Sequence, residues 1–250
     1  MTNESYELAV AIINFLKTKQ SAMPSTPRSV TVASASINPY YTVIASADTD
    51  LEKDWSLCLL QFSSGPAKLT SRMVKGTNKA AKSIKINRKP RTGEPAAGNT
   101  AMLTAGPFKK ATFSLAMITP QTMQAAFEES EPCHIHLRCT EDDIALKTMS
   151  PQRDKLSGDF QISKFEVWIY MSKSDALASQ SLRNLPAVVS QVVEMLAQFF
   201  TTESEARDAT LTMGGVGNPT FSIKQKTGSD PTAPNRPVIA AQIEFFVKFS

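Results

Sequence analysis

NLPAVVSQVVEMLAQFF, residues 184–200, is the stretch on which the reading of the fold turns. Leu185, Val188, Val189, Val192, Val193, Leu196, Phe199 and Phe200 recur at helical spacing, and Ser190, Gln191, Glu194 and Gln198 leave only a thin polar stripe. A helix of this kind is buried on most of its circumference. Asn184 suits an N-cap and Pro186 falls in the first turn, where its missing N–H costs nothing. Seventeen residues with a polar stripe are too few to span a bilayer, so the helix is expected to lie across a sheet.

Around it the chain reads mostly as strands. A first helix is expected over residues 4–19, with Tyr6, Val10, Ile13 and Leu16 as its apolar stripe, closed off by Pro24 and Pro27. Ser29 to Ala47 is β-branched and small, broken at Asn38-Pro39, and reads as two strands joined by a turn. WSLCLLQF, from Trp55 to Phe62, is a short buried strand. Phe113, Leu115 and Met117 alternate with small polar residues, and Thr119-Pro120 opens a short helix over about 120–129. CHIHLRC, residues 133–139, alternates; Asp143 to Met149 is a candidate partner strand. Phe160 to Met171 is a long strand with a bulge expected near Ser163-Lys164. Thr210 to Met213, Phe221 to Lys226 and a clean final alternation of Ile239, Ala241, Ile243, Phe245, Val247 and Phe249 complete the set, with a Pro-rich loop at 230–237.

The helices are not interleaved as βαβ units. The expected class is therefore α+β, mainly β, with antiparallel sheets or sandwich layers. Residues 1–250 are read as one compact unit, with a possible division into 1–150 and 159–250 at the polar stretch 150–158. An apolar fraction of 42% over 250 residues is enough for a real core.

Charge is distributed unevenly. The net charge is only +4, yet the nine cations Lys68, Arg72, Lys75, Lys79, Lys82, Lys85, Arg88, Lys89 and Arg91 lie between Trp55 and Gly93 without one acidic residue. Such a segment draws polyanions. The first five are spaced by four, three, four and three, which would place one cationic ridge along a helix, although Gly76 and Asn78 weaken it. From Ser83 the pattern turns to alternation, with Ile84 and Ile86 on one face and Lys85 on the other. No aromatic residue lies between Phe62 and Phe108, so a stacking platform for single-stranded bases is missing. Contact with RNA would be to the backbone, and an anionic membrane would suit the same charges, with Leu69, Met73 and Val74 inserted shallowly.

Other motifs lead to bland readings. Cys133 and Cys139 share one face of their strand and His134 and His136 the other, so sulfurs and imidazoles point apart and no metal site is expected. Asp48, Asp50, Glu52 and Asp54 fail as a calcium loop, because Lys53 and Leu59 stand where glycine and glutamate are needed. GGVGNP, residues 214–219, lacks the lysine and helix that hold a phosphate. With two histidines on one strand, a Ser-His-Asp or Cys-His set has little to draw on. No catalytic residue and no cofactor are assigned. Three cysteines make no disulfide framework, no signal peptide or spanning segment is read, and an intracellular site is expected.

A β-rich chain with short helices, a cationic segment, ten methionines and no catalytic set resembles a viral structural protein. Within it KKATFSLAMITPQTMQAAFEE, residues 109–129, is similar to the strand, proline, helix passage of matrix proteins of negative-strand RNA viruses. That resemblance implies stacked β-sandwich layers, homo-oligomerisation, and binding of membrane or RNA-containing nucleocapsid through the basic surface. The functional expectation is a non-enzymatic, self-associating assembly protein of matrix or coat type. The alternatives are a sequence-nonspecific nucleic-acid-binding protein, such as a movement, silencing-suppressor or packaging factor, and an enzyme whose site has no recognised motif.

Overall fold

The computed structural model describes residues 3–37, 41–45, 51, 54–90, 92–115, 133–141, 161–172, 178–202, 209–211, 222–230 and 233–249. They form α1 (Asn3–Ala22), β1 (Arg28–Ile37), β2 (Tyr41–Ala45), β3 (Leu59–Phe62), β4 (Ser71–Asn78), β5 (Ser83–Ile86), β6 (Thr100–Thr104), a 3-10 turn (Pro107–Lys110), β7 (Thr112–Leu115), β8 (His134–Glu141), β9 (Gln161–Ser172), α2 (Ala178–Thr202), β10 (Ala209–Leu211), β11 (Ser222–Asp230) and β12 (Ala233–Phe249). The class is α+β, mainly β. Two compact units are distinguished, Lys19–Lys110 with Ser174–Gln191, and Met1–Thr18 with Ala111–Lys173 and Val192–Ser250. The polar stretch 150–158, the short helix at 120–129, the strand at 143–149 and the turn at 214–219 lie outside the described residues.

In the first of these units, six strands in the order β1-β2-β5-β4-β3-β6 close into a barrel, every pairing antiparallel, instead of lying as an open layer. Cross-strand pairs Val43↔Ile84, Val74↔Ile86, Leu60↔Leu103 and Phe62↔Ala101 share one face of the rolled sheet, and all eight side chains are buried. At about 25 cal/mol per Å² of apolar surface, each of the larger ones contributes about 1.5–3 kcal/mol. Closure comes from β1 meeting β6, with Val30 opposite Ala101.

Around the barrel, polar side chains close the loose ends. Lys109 Nζ donates to the carbonyls of Gln20 (2.9 Å), Ser21 (3.1 Å) and Met23 (2.8 Å), which satisfies groups that the end of α1 leaves without helical partners. Gln191, expected on the polar stripe, is instead wholly buried. Its Nε2 donates to the carbonyls of Leu57 (2.6 Å) and Ala105 (3.2 Å), so a polar residue stands on the inner side because two loop carbonyls need it.

The second unit holds a sheet in the order β10-β12-β9-β8-β7, with β11 also on β12; the pair β7–β8 is parallel and its neighbours are antiparallel. Ile135, Leu137, Phe165, Val167, Ile169, Met171, Ile239, Ala241, Ile243, Phe245 and Val247 are all buried. Phe165 stacks on Phe245 (5.5 Å between centroids), Phe200 meets Phe245 edge-on, and Phe15 of α1 meets Phe199 of α2 edge-on (5.4 Å).

Several expectations are corrected by these contacts. The buried face of α1 is Leu8, Ala9, Ile12, Ile13, Phe15 and Leu16, while Tyr6 is 49% exposed and Val10 half-buried; packing selects a face rotated from the predicted stripe. Helix α2 begins at Ala178, so Asn184 does not cap it and Pro186 sits inside, forfeiting one backbone hydrogen bond. Strand β9 pairs with β12 without interruption from Gln161 to Ser172, and the irregularity falls between Cys139 and Glu141 on β8. Ser163 points inward because its hydroxyl bonds that of Ser5 on α1 at 2.9 Å, both buried. The Pro-rich stretch enters the start of β12, where the register against β11 slips between Ser229 and Asp230.

Candidate functional site

Lys68 to Lys89 is not a helix. It forms a turn ending at Leu69, strand β4, a turn over 79–82, and strand β5. The helical spacing of the lysines is coincidental: β4 bulges at Lys75, between the pairs Val74↔Ile86 and Gly76↔Lys85, and the extra residue breaks the alternation that marks a strand. Strand β5 follows its pattern, with Ile84 and Ile86 buried and Lys85 outward. Asn78 holds the turn, its Oδ1 accepting from Ala81 N at 2.9 Å, and Lys82 adopts φ +48°.

The structure distributes the nine cations unequally. Lys68, Lys75, Lys79, Lys85, Arg88 and Lys89 are exposed, Lys82 and Arg72 are half-buried, and Arg91 lies outside the described residues. Lys89 forms an ion pair with Glu94, just past the acid-free segment, which reduces the field at that end. Arg72 donates Nε–H to the carbonyl of Lys89 (3.3 Å) and an Nη1–H to that of Ser71 (2.8 Å), so its guanidinium is held by backbone. Lys85 stands between Gly76 and Thr42 in the pairing, and a Cβ added at Gly76 would meet nothing within 4 Å. The outer face of the β4–β5 hairpin is thus open around its lysines.

Beside this face runs a trough made of two hollows, of about 200 Å³ and about 310 Å³, that share Leu69, Thr70 and Ser71. One end is lined by Arg72, Asn87 and Arg88, and the other by Gln61, Phe62, Met102 and Asn184. Leu69 is 51% exposed and adopts φ +70°, a left-handed conformation that costs a leucine about 1–3 kcal/mol. The chain holds it there through Leu69 N to Phe62 O (2.9 Å) and Thr70 Oγ1 to Ala67 O (2.7 Å). Asn87 donates its N–H to Met73 O at 2.9 Å, while its Oδ1 is buried without a hydrogen-bond partner among the described residues. Sequence reasoning missed Asn87, Met102 and the strain at Leu69, since the pairing of β3 with β4 and β6, and of β4 with β5, is what brings them together.

A second polar cluster lies in the other unit. The parallel register sets Thr112 beside His134 and Ser114 beside His136. Thr112 Oγ1 lies 2.7 Å from His134 Nδ1, and Ser114 Oγ lies 2.9 Å from His134 Nε2 and 2.8 Å from His136 Nδ1. Both imidazoles are buried, and His136 Nε2 has no partner among the described residues. Burial lowers the pKa of His134, and it lowers that of His136 to about 4 with help from the His134 and Arg138 charges. Both rings are neutral near pH 7 and form a buried polar layer. Cys133 lies on the opposite, apolar face, where burial pushes its thiol up to about 12.

Farther along the same polar face, Glu166 accepts from Arg138 (2.7 Å) and Trp168 Nε1 (2.8 Å). Burial alone would raise its carboxyl, but these bonds and the Arg138 and Lys164 charges bring it below the usual range.

The chain matches no protein-family model and no curated protein. Among the described residues no helix is long and apolar enough to cross a membrane, and no group of three or more His, Cys, Asp or Glu side chains is placed to hold a metal.

Proposed function

We propose that this protein is a non-enzymatic, self-associating structural protein of matrix or coat type that holds an acidic partner against the basic face of its barrel. The observation that carries the reading is the exposure of Lys68, Lys75, Lys79, Lys85 and Arg88 around the β4–β5 hairpin, in a stretch that contributes no acid of its own. Between an anionic membrane surface and RNA, the first is favoured. Leu69 and Met102 expose apolar side chains (51% and 39%) next to Lys68 and Arg72, and no aromatic side chain is available in this segment to stack a base. Self-association is supported by β11, which lies at the margin of its sheet with Ile223 49% exposed. The assignment to matrix or coat type rests on the resemblance of residues 109–129.

Flotation with anionic vesicles, run beside filter binding to RNA at low and high salt, tests the reading. The quadruple variant Lys75→Glu, Lys79→Glu, Lys82→Glu, Lys85→Glu is expected to lose binding, and undiminished binding would remove the basic face from consideration. Light scattering across concentration tests assembly; a monomer throughout counts against it.

A further inference from the structure

We propose that the trough beside the hairpin is a headgroup site, selective for a phosphorylated polyol on an anionic lipid. This rests on the reading of the basic face as a membrane contact and says what that face would select. The hollow next to Arg72 and Arg88, at about 200 Å³, falls below the range that encloses drug-sized ligands, and suits a headgroup. The exposed guanidinium of Arg88 can supply the bidentate donors that a phosphate takes, and Arg72 adds a fixed positive charge. Arg72 is held in place by the carbonyls of Ser71 and Lys89, so little order remains to be imposed on binding.

Asn87 adds selectivity. A buried carbonyl oxygen without a donor favours a ligand that brings a hydroxyl, because the free amide loses the full value of an unmade hydrogen bond. Inorganic phosphate brings a hydroxyl only on the phosphorus that the guanidinium groups would hold, whereas a phosphorylated polyol brings several on carbons that reach beyond it. The second hollow, lined by Leu69, Met102 and buried Phe62, continues the trough with apolar surface where the glycerol and first methylenes of a lipid would lie. A ribonucleotide also joins phosphate to hydroxyl, but the one aromatic of the trough's lining, Phe62, is buried at 2% exposure and offers little face for a base to stack on.

The test is cosedimentation with phosphatidylcholine vesicles that carry either a phosphatidylinositol monophosphate or enough phosphatidylserine to match its surface charge. The wild-type protein is expected to prefer the first by about tenfold, the worth of one good polar contact. Glycerol phosphate should compete more strongly than inorganic phosphate, and equal competition by the two would count against the polyol selectivity. Asn87→Leu should abolish the preference while leaving salt-dependent binding to both vesicles, and Arg88→Gln should abolish the preference and also weaken binding to both, since it removes one charge of the basic face. If Asn87→Leu does not fold, Arg88→Gln and the competition decide. Equal binding to both vesicles by the wild-type protein would overturn the headgroup site and leave the basic face intact. Binding to neither vesicle would overturn both, and RNA retention in the same buffer would then assign the face to nucleic acid.

Discussion

Replacing Ser114 with alanine is the sharpest perturbation of the polar layer in the second unit. A hydroxyl has one proton, so Ser114 donates to one imidazole and accepts from the other; the two contacts, at 2.8 and 2.9 Å, fix the direction of the whole chain. In one direction Thr112 donates to His134 Nδ1, His134 Nε2–H donates to Ser114, and Ser114 donates to His136 Nδ1. In the other, each bond reverses. Either way the single group left over is His136 Nε2, the atom observed without a partner. Removing the hydroxyl strands one N–H and one lone pair on two buried rings. Each costs about 1–3 kcal/mol, and because Ser114 is itself half-buried and water reaches part of the gap, the total is about 3 kcal/mol.

Urea unfolding followed by circular dichroism, with Trp168 fluorescence as a local reporter, measures the difference. His136 faces Trp168 in the register, so the reporter sits on the perturbed row. A loss within about 0.5 kcal/mol, the scatter of ordinary surface substitutions, would refute the relay. Ser114→Thr, which keeps the hydroxyl, should retain most of the stability.

His136 has its folded pKa lowered from 6.5 to about 4, so its stabilising contribution is complete above pH 6.5, falls as pH drops toward 4 and levels off below, a loss of about 3 kcal/mol to which His134 adds in the same direction; denaturant melts at stepped pH should show this fall, and His136→Phe should flatten it. Gly106→Ala should destabilise by about 2 kcal/mol by thermal melt, because Gly106 has φ +69° and an added Cβ would lie 2.6 Å from Cδ1 of wholly buried Leu59, whereas Gly76→Ala, with open space around it, should stay within about 0.5 kcal/mol.

Which side chains share a face was legible in the sequence wherever a strand ran without a bulge. Ile84 and Ile86 against Lys85, or Ile135 and Leu137 against His134 and His136, follow from a period of two alone. The five cations at 68–82 leave a helical ridge open as a reading, because the bulge at Lys75 breaks the alternation that would have marked β4 as a strand. Barrel closure was out of reach for a different reason. Val30 meets Ala101 across some seventy residues, and nothing local in β1 or β6 names its partner. The trough inherits that limit, since Leu69, Asn87 and Met102 come from three separate turns and strands.

Period also identifies the members of a face without saying whether water sees it. The row Ser114, His136, Trp168, Gln242 alternates as a solvent face would, yet His136 and Gln242 are buried at 2% and 5% exposure. Such a face is stable only if its polar groups satisfy one another, which is why Ser114 bridges two rings, Glu166 gathers Arg138 and Trp168, and Gln242 Nε2 donates to Glu244 Oε1 at 2.9 Å. The histidines that look like a metal motif in the sequence are committed to this mutual satisfaction instead. In physical terms these are polar groups that specify a fold.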